Sequence, residues 1–197
     1  MLSAAEDLLP GLPDPVFDSQ RVFRAALDAL ACPGSIHEIP LAVRSPAPLA
    51  PAAAALALTL ADFETPLWLQ PPNAAAADYL RFHCGCPIAA DPAAARFALV
   101  HDARTLPPLA SFNRGEIDYP DRSATLIVQV AALAAGAGVK LRGPGIREHA
   151  LLAVQGLPAR FWNEWRENAQ LFPCGVDVIL VADGRIAGLP RTTQVET

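Results

Sequence analysis

Residues 124–130 narrow the fold more than any other stretch. They read Ala124-Thr125-Leu126-Ile127-Val128-Gln129-Val130, almost wholly apolar and rich in β-branched side chains. A strand of that kind is buried on both faces, and such strands belong to α/β proteins with a largely parallel sheet. A small-residue link follows, then Val139-Lys140-Leu141-Arg142, the turn Gly143-Pro144-Gly145, and Arg147 just beyond. Alternation puts Val139 and Leu141 on one side of a second strand and Lys140 and Arg142 on the other. Glycine lets backbone N–H groups converge on an anion. Lys140, Arg142, Gly143, Gly145 and Arg147 are therefore the candidate site for a phosphate-like ligand. The same glycines equally serve a plain corner between strands, the commoner use of such a turn. Lys140 is the only lysine among 15 basic residues. An arginine-rich composition explains why lysine is scarce, but not why the one that remains stands beside a glycine loop.

A chain of 197 residues can bury a full core, and residues 1–197 read as a single domain with short N-terminal and C-terminal arms. The net charge of −5 opposes general nucleic-acid binding. The apolar runs at 49–61 and 124–139 are too short or too interrupted for a membrane helix, which needs about 20 residues. Neither nucleic acid nor membrane is expected as a partner. Residues 1–7 lack the basic and apolar regions of a secretory signal, so a cytoplasmic location is expected. The four cysteines form neither a disulfide framework nor paired zinc knuckles.

Phe23, Leu27 and Leu30, with Val22 and Ala26 beside them, predict an amphipathic helix over residues 14–32, capped by Asp18 and ended by Pro33-Gly34. Residues 35–39 read as a short strand. Pro51 opens a helix to about residue 61. Residues 66–70 form the next strand, and Asn73 caps a helix through Phe82. Residues 96–101 are strand, and residues 105–112 a short helix. Residues 158–171 are helical, with Phe161, Trp162 and Trp165 forming an aromatic stripe for the core. Residues 177–181 and 185–189 form a hairpin about Asp183-Gly184. Residues 190–197 continue as an extended arm. The alternation implies a three-layer α/β/α sandwich whose mixed, mostly parallel sheet has about seven strands.

Catalytic and metal signatures are weak. His83, Cys84 and Cys86 lack a fourth ligand at usable spacing, so no metal is expected. Ser123, His149 and Asp121 make a triad only on paper, without a nucleophile elbow. There is no Walker A motif, and no glycine fingerprint follows a strand.

Several segments together carry a resemblance. They are Phe23-Arg24, Leu27 and Pro33-Gly34; Leu60-Ala61-Asp62 with Thr65-Pro66-Leu67-Trp68-Leu69; and Arg81-Phe82-His83. Residues 124–130, Leu141-Arg142-Gly143-Pro144-Gly145-Ile146, residues 172–180 and Pro190-Arg191-Thr192-Thr193 complete it. In their order and spacing they resemble the PhnH subunits of the bacterial carbon–phosphorus lyase system. The resemblance implies a fold related to the large domain of pyridoxal-phosphate-dependent transferases, without the cofactor site. That cofactor needs a Schiff-base lysine, and no motif marks Lys140 as one, so no cofactor is expected. It also implies an accessory or assembly subunit. With its companion subunits it would serve formation of ribose 1-phosphonate 5-triphosphate from ATP and a phosphonate. Alone it would be a homodimer without turnover of its own, and in the complex the arm at 192–197 would add to a partner's sheet edge. The alternative is a ligand-binding or catalytic subunit that uses the Lys140–Arg147 loop. The family supplies no catalytic residues to carry over.

Overall fold

The computed structural model describes residues 9–41 and 43–196. The leader-free reading of residues 1–7, most of the N-terminal arm and the final Thr197 lie outside the described residues. The elements run α1 (Pro15–Ala31), β1 (His37–Glu38), α2 (Pro51–Leu60), β2 (Leu67–Gln70), α3 (Ala74–Cys84), β3 (Phe97–Val100), β4 (Thr125–Gln129), β5 (Ala132–Arg142), β6 (Ala150–Gln155), α4 (Phe161–Ala169), β7 (Asp177–Ala182), β8 (Arg185–Leu189) and β9 (Gln194–Glu196). Among the described residues no helix is long and apolar enough to cross a membrane.

The main sheet has six strands in the order β1-β8-β7-β4-β3-β2. Strands β2, β3, β4 and β7 are parallel, and β8 and β1 add antiparallel pairs at one edge. Strand β4 lies in the middle, with Ile127 opposite Leu99 of β3 and Ile179 of β7. Its Leu126, Ile127 and Val128 are fully buried, as the apolar run requires. Period-two alternation then divides the core. Leu69, Leu99, Ile127, Ile179 and Val181 face α1, α2 and α3. Ala98, Val100, Leu126, Val128, Val178 and Leu180 face the other way, onto Phe161 and Trp165 of α4 and onto Leu133, Leu141, Leu152 and Val195. The last four belong to a second, antiparallel sheet in the order β6-β5-β9. One face of the main sheet is thus covered by helices, and the other by a small sheet together with α4.

That second sheet corrects the expectation of one sheet of about seven strands. The supposed small-residue link is itself strand, because β5 begins at Ala132 and pairs with β6 across an irregularity between Ala135 and Val139. The C-terminal arm is β9, paired with β5, so its inner edge is already used within this chain. The helix expected at 105–112 is replaced by two single 3₁₀ turns, Ala103–Thr105 and Leu109–Ser111. Prolines at 107 and 108 fall between them, and a proline cannot donate the hydrogen bond that would join the turns. The hairpin at Asp183-Gly184 forms as read, with φ of 47° and 76° as a type I′ turn demands.

Helix α1 turns a different face inward from the one expected. Its buried stripe is Val22, Ala26 and Ala29, while Phe23 and Leu27 are about half exposed, at 50 % and 54 %. The reason is its close approach to the sheet. A Cβ on Gly188 of β8 would lie 2.5 Å from the Ala29 carbonyl oxygen, so only the small-residue side of the helix fits there. Its N-cap is Asp14, whose carboxylate accepts from the Phe17 N–H, while Asp18 reaches back to the Asp14 N–H at 2.9 Å. The two acids form a reciprocal cap, with Asp18 in the second role.

Candidate functional site

The end of β5 places the cations as the alternation requires. Leu141 is fully buried, and Lys140 and Arg142 point outward. Strand β9 brings their partner: Lys140 lies opposite Glu196, and Leu141 opposite the buried Val195. Lys140 Nζ sits 2.8 Å from Glu196 Oε2, and Arg142 Nε sits 2.7 Å from Oε1. One carboxylate therefore bridges both cations. The hydrogen bond from Lys140, with the Arg142 charge beside it, holds the Glu196 carboxyl below its usual range. Arg142 also donates to the Glu148 carbonyl at 3.1 Å.

The loop beyond is shaped by close backbone contacts. Gly143 and Gly145 have φ of 137° and 80°, and the Ile146 N–H closes the turn on the Gly143 carbonyl. A Cβ at Gly145 would fall 1.8 Å from the Ala31 carbonyl oxygen at the end of α1, and one at Gly143 would fall 2.8 Å from the Thr192 carbonyl oxygen. Both glycines are thus required where the loop touches α1 and the approach to β9. Lys140 and Arg142 are brought together, Gly143 and Gly145 lie directly beside them, and Arg147 is exposed and joins no ion pair among the described residues. Thr193 is buried against this corner, and its carbonyl accepts from the Trp165 indole at 2.9 Å.

Sequence reasoning missed two parts of this region. One is Glu196, which only the pairing of β9 with β5 brings to the two cations. The other is Arg191, whose guanidinium sits 3.1 Å and 2.5 Å from the Asp177 carboxylate oxygens. It also donates to the Ser123 hydroxyl and to the carbonyls of Pro120 and Pro173. Asp177 accepts the Arg191 main-chain N–H as well, at 2.7 Å. This fork ties the start of β7 to the segments before β4 and after β8, and it places the Ser123 hydroxyl on an arginine.

Among the described residues no group of three histidines, cysteines or acids is arranged to hold a metal ion. Cys84 and Cys86 are free thiols, half-buried and buried. The hydrogen bond with Cys86, then burial, pushes the Cys84 thiol up, so it stays protonated at neutral pH.

Comparison with known proteins gives a match along almost the whole chain. Residues 10–196 match the family model described as bacterial phosphonate metabolism protein (PhnH). The chain is 41 % identical, over 93 % of its length and 92 % of the relative's, to the alpha-D-ribose 1-methylphosphonate 5-triphosphate synthase subunit PhnH of Rhizobium meliloti (strain 1021). It is 33 % identical, over 89 % of its length and 85 % of the relative's, to the putative C-P lyase subunit protein HtxG of Stutzerimonas stutzeri.

Proposed function

Because the chain belongs to the PhnH family of bacterial phosphonate metabolism proteins, we propose that it is the accessory and assembly subunit of a carbon–phosphorus lyase system. In this role it serves formation of ribose 1-phosphonate 5-triphosphate from ATP and a phosphonate. The observation that carries this is the end-to-end likeness to a relative named as a subunit of the ribose 1-methylphosphonate 5-triphosphate synthase. The chain works in the cytoplasm as one domain, with other subunits of the system as partners, and as a homodimer when alone. Its six-stranded mixed sheet is compatible with kinship to the large domain of pyridoxal-phosphate-dependent transferases. The test is size-exclusion chromatography with light scattering, on the chain alone and mixed with the companion subunits. Co-elution at fixed stoichiometry is the expected result. Separate elution under all conditions overturns the assembly role.

A second reading is favoured by the Glu196 bridge. Lys140 and Arg142 hold a carboxylate at 2.8 and 2.7 Å, and a phosphoryl or phosphonate oxygen pair has the same charge sign and a similar span. In this reading Lys140, Arg142, Gly143, Gly145 and Arg147 bind an anionic ligand that competes with Glu196. Glu196→Gln then tightens methylphosphonate binding, and Arg142→Ala with Arg147→Ala abolishes it. Binding unchanged in both variants removes the site.

A further inference from the structure

In open α/β sheets, ligands enter the crevice beyond the carboxyl ends of parallel strands. Here that edge holds a cleft of about 450 Å³, lined by His101, Asp102, Arg104, Gln129, Ala131 and Gly156. His101 directly follows β3 and is only 7 % exposed. Its main chain is satisfied, with the N–H on the Gln70 carbonyl at 2.8 Å and the carbonyl accepting from Gln129 Nε2 at 3.1 Å. Its ring is not, because neither Nδ1 nor Nε2 has a hydrogen-bond partner.

The polar neighbours cannot supply one. The Gln129 side chain is fully engaged, accepting from the Ala50 N–H at 2.7 Å and donating to the carbonyls of Pro48 and His101. The Asp102 carboxylate caps the Ala103–Thr105 turn through the Arg104 N–H and holds the Arg104 guanidinium at 2.9 and 2.8 Å. Arg104 is highly exposed at the rim, and its ion pair uses Nε and one terminal nitrogen, leaving an outer edge toward solvent. Buried ring nitrogens are normally paired with protein, water or a ligand, so this imidazole has hydrogen-bonding capacity for a group from outside the chain. Burial alone lowers the His101 pKa, so the imidazole is neutral at pH 7, with one donor and one acceptor. A hydroxyl matches it, having both a donor and acceptors, whereas a bare anion uses only the donor. The guanidinium at the rim calls for an anion.

We propose that the crevice beyond β3 and β4 binds a sugar phosphate, one hydroxyl pairing with the His101 imidazole while the phosphoryl group meets Arg104. The small lining residues Ala103, Ala131 and Gly156 leave room for the sugar. Neither ring nitrogen reaches solvent, so the His101 ring turns toward the cleft as the hydroxyl pairs with it. This site shares no residue with the Glu196 bridge.

The test is titration of the full-length chain with ribose 5-phosphate, followed by calorimetry and by the histidine ring ¹⁵N signals. Ribose alone and inorganic phosphate are the control arms. Saturable binding of ribose 5-phosphate that shifts the His101 ring signals is expected, with affinity lost at least tenfold in both His101→Phe and Arg104→Gln. Arg104 is a surface residue, so that variant keeps the fold whatever happens at position 101. Inorganic phosphate is expected to bind more weakly and to ignore His101→Phe. Absence of binding, equal affinity for phosphate and ribose 5-phosphate, or binding that survives both substitutions overturns the proposal. Co-elution with companion subunits is read separately, so that failure of the assembly role and failure of this site are distinguished.

Discussion

Gly145 is the residue at which the Gly-Pro-Gly corner is least replaceable. An alanine there would drive its Cβ into the Ala31 carbonyl, and backbone on backbone has nowhere to yield. Gly145→Ala is expected to lower unfolding free energy by at least about 3 kcal/mol. Gly136, also at positive φ but with nothing within 4 Å of its Cβ direction, is expected to cost only about 1 kcal/mol as alanine. Urea unfolding of the two variants checks the contrast, and equal midpoints would show that the corner is not packed as described. Arg191 makes the complementary case for a side chain. Its planar fork serves two carboxylate oxygens, a hydroxyl and two carbonyls at once. Lysine keeps the charge but cannot present that geometry. Arg191→Lys is expected to cost about 2–4 kcal/mol in the same assay, and a loss below 1 kcal/mol, roughly the worth of an exposed pair, contradicts the fork's role.

At the scale of elements, β9 is a strand whose attachment includes an exposed charge bridge. Glu196 titrates at about 4.3 in an unfolded chain and lower when folded. Its contribution is therefore complete above that unfolded value and disappears as pH falls through the folded one. Amide exchange at Val195 and Glu196, corrected for intrinsic rates, is expected to accelerate relative to β4 as pH drops from 5 toward 3. Protection that keeps pace with β4 would mean Val195 burial alone holds the strand. The elements also show why some structure was legible in the sequence. Strand β4 announced itself by an unbroken apolar run, and Asp183-Gly184 by local turn chemistry. The outward face of Lys140 and Arg142 followed from alternation. Their partner did not, because Glu196 lies far along the chain and only strand pairing joins them. Residues 150–155, mostly alanine and leucine, favour helix by local preference and became strand only by pairing with β5. The inward face of α1 was misjudged for a related reason. Local hydrophobicity favours Phe23 and Leu27, but the distance to Gly188 decides, and that distance is a tertiary quantity.

At the scale of the whole molecule, His101 is the buried histidine through which mild acid acts on stability. In the unfolded chain this histidine titrates near 6.5, and burial lowers it in the fold. Between the two values the unfolded chain holds a proton that the folded one does not. Stability therefore falls as pH drops from about 6.5 toward the folded value, then levels off. Asp102, the nearest acid in sequence, is engaged by Arg104 and does not offset this. The urea midpoint is expected to drop between pH 7.5 and 5.5 in the native sequence and to drop less in His101→Phe. Parallel curves for the two proteins would place the sensitivity elsewhere.

Helix α1 lays its alanines against the sheet and turns Val16, Phe23 and Leu27 outward, one above another along a single stripe. A ridge of this kind leaves apolar area in contact with water, and any surface that covered it would release that water. Polar replacements at Phe23 and Leu27 would therefore leave the fold intact while making that ridge ordinary wet surface, since neither side chain packs on the core.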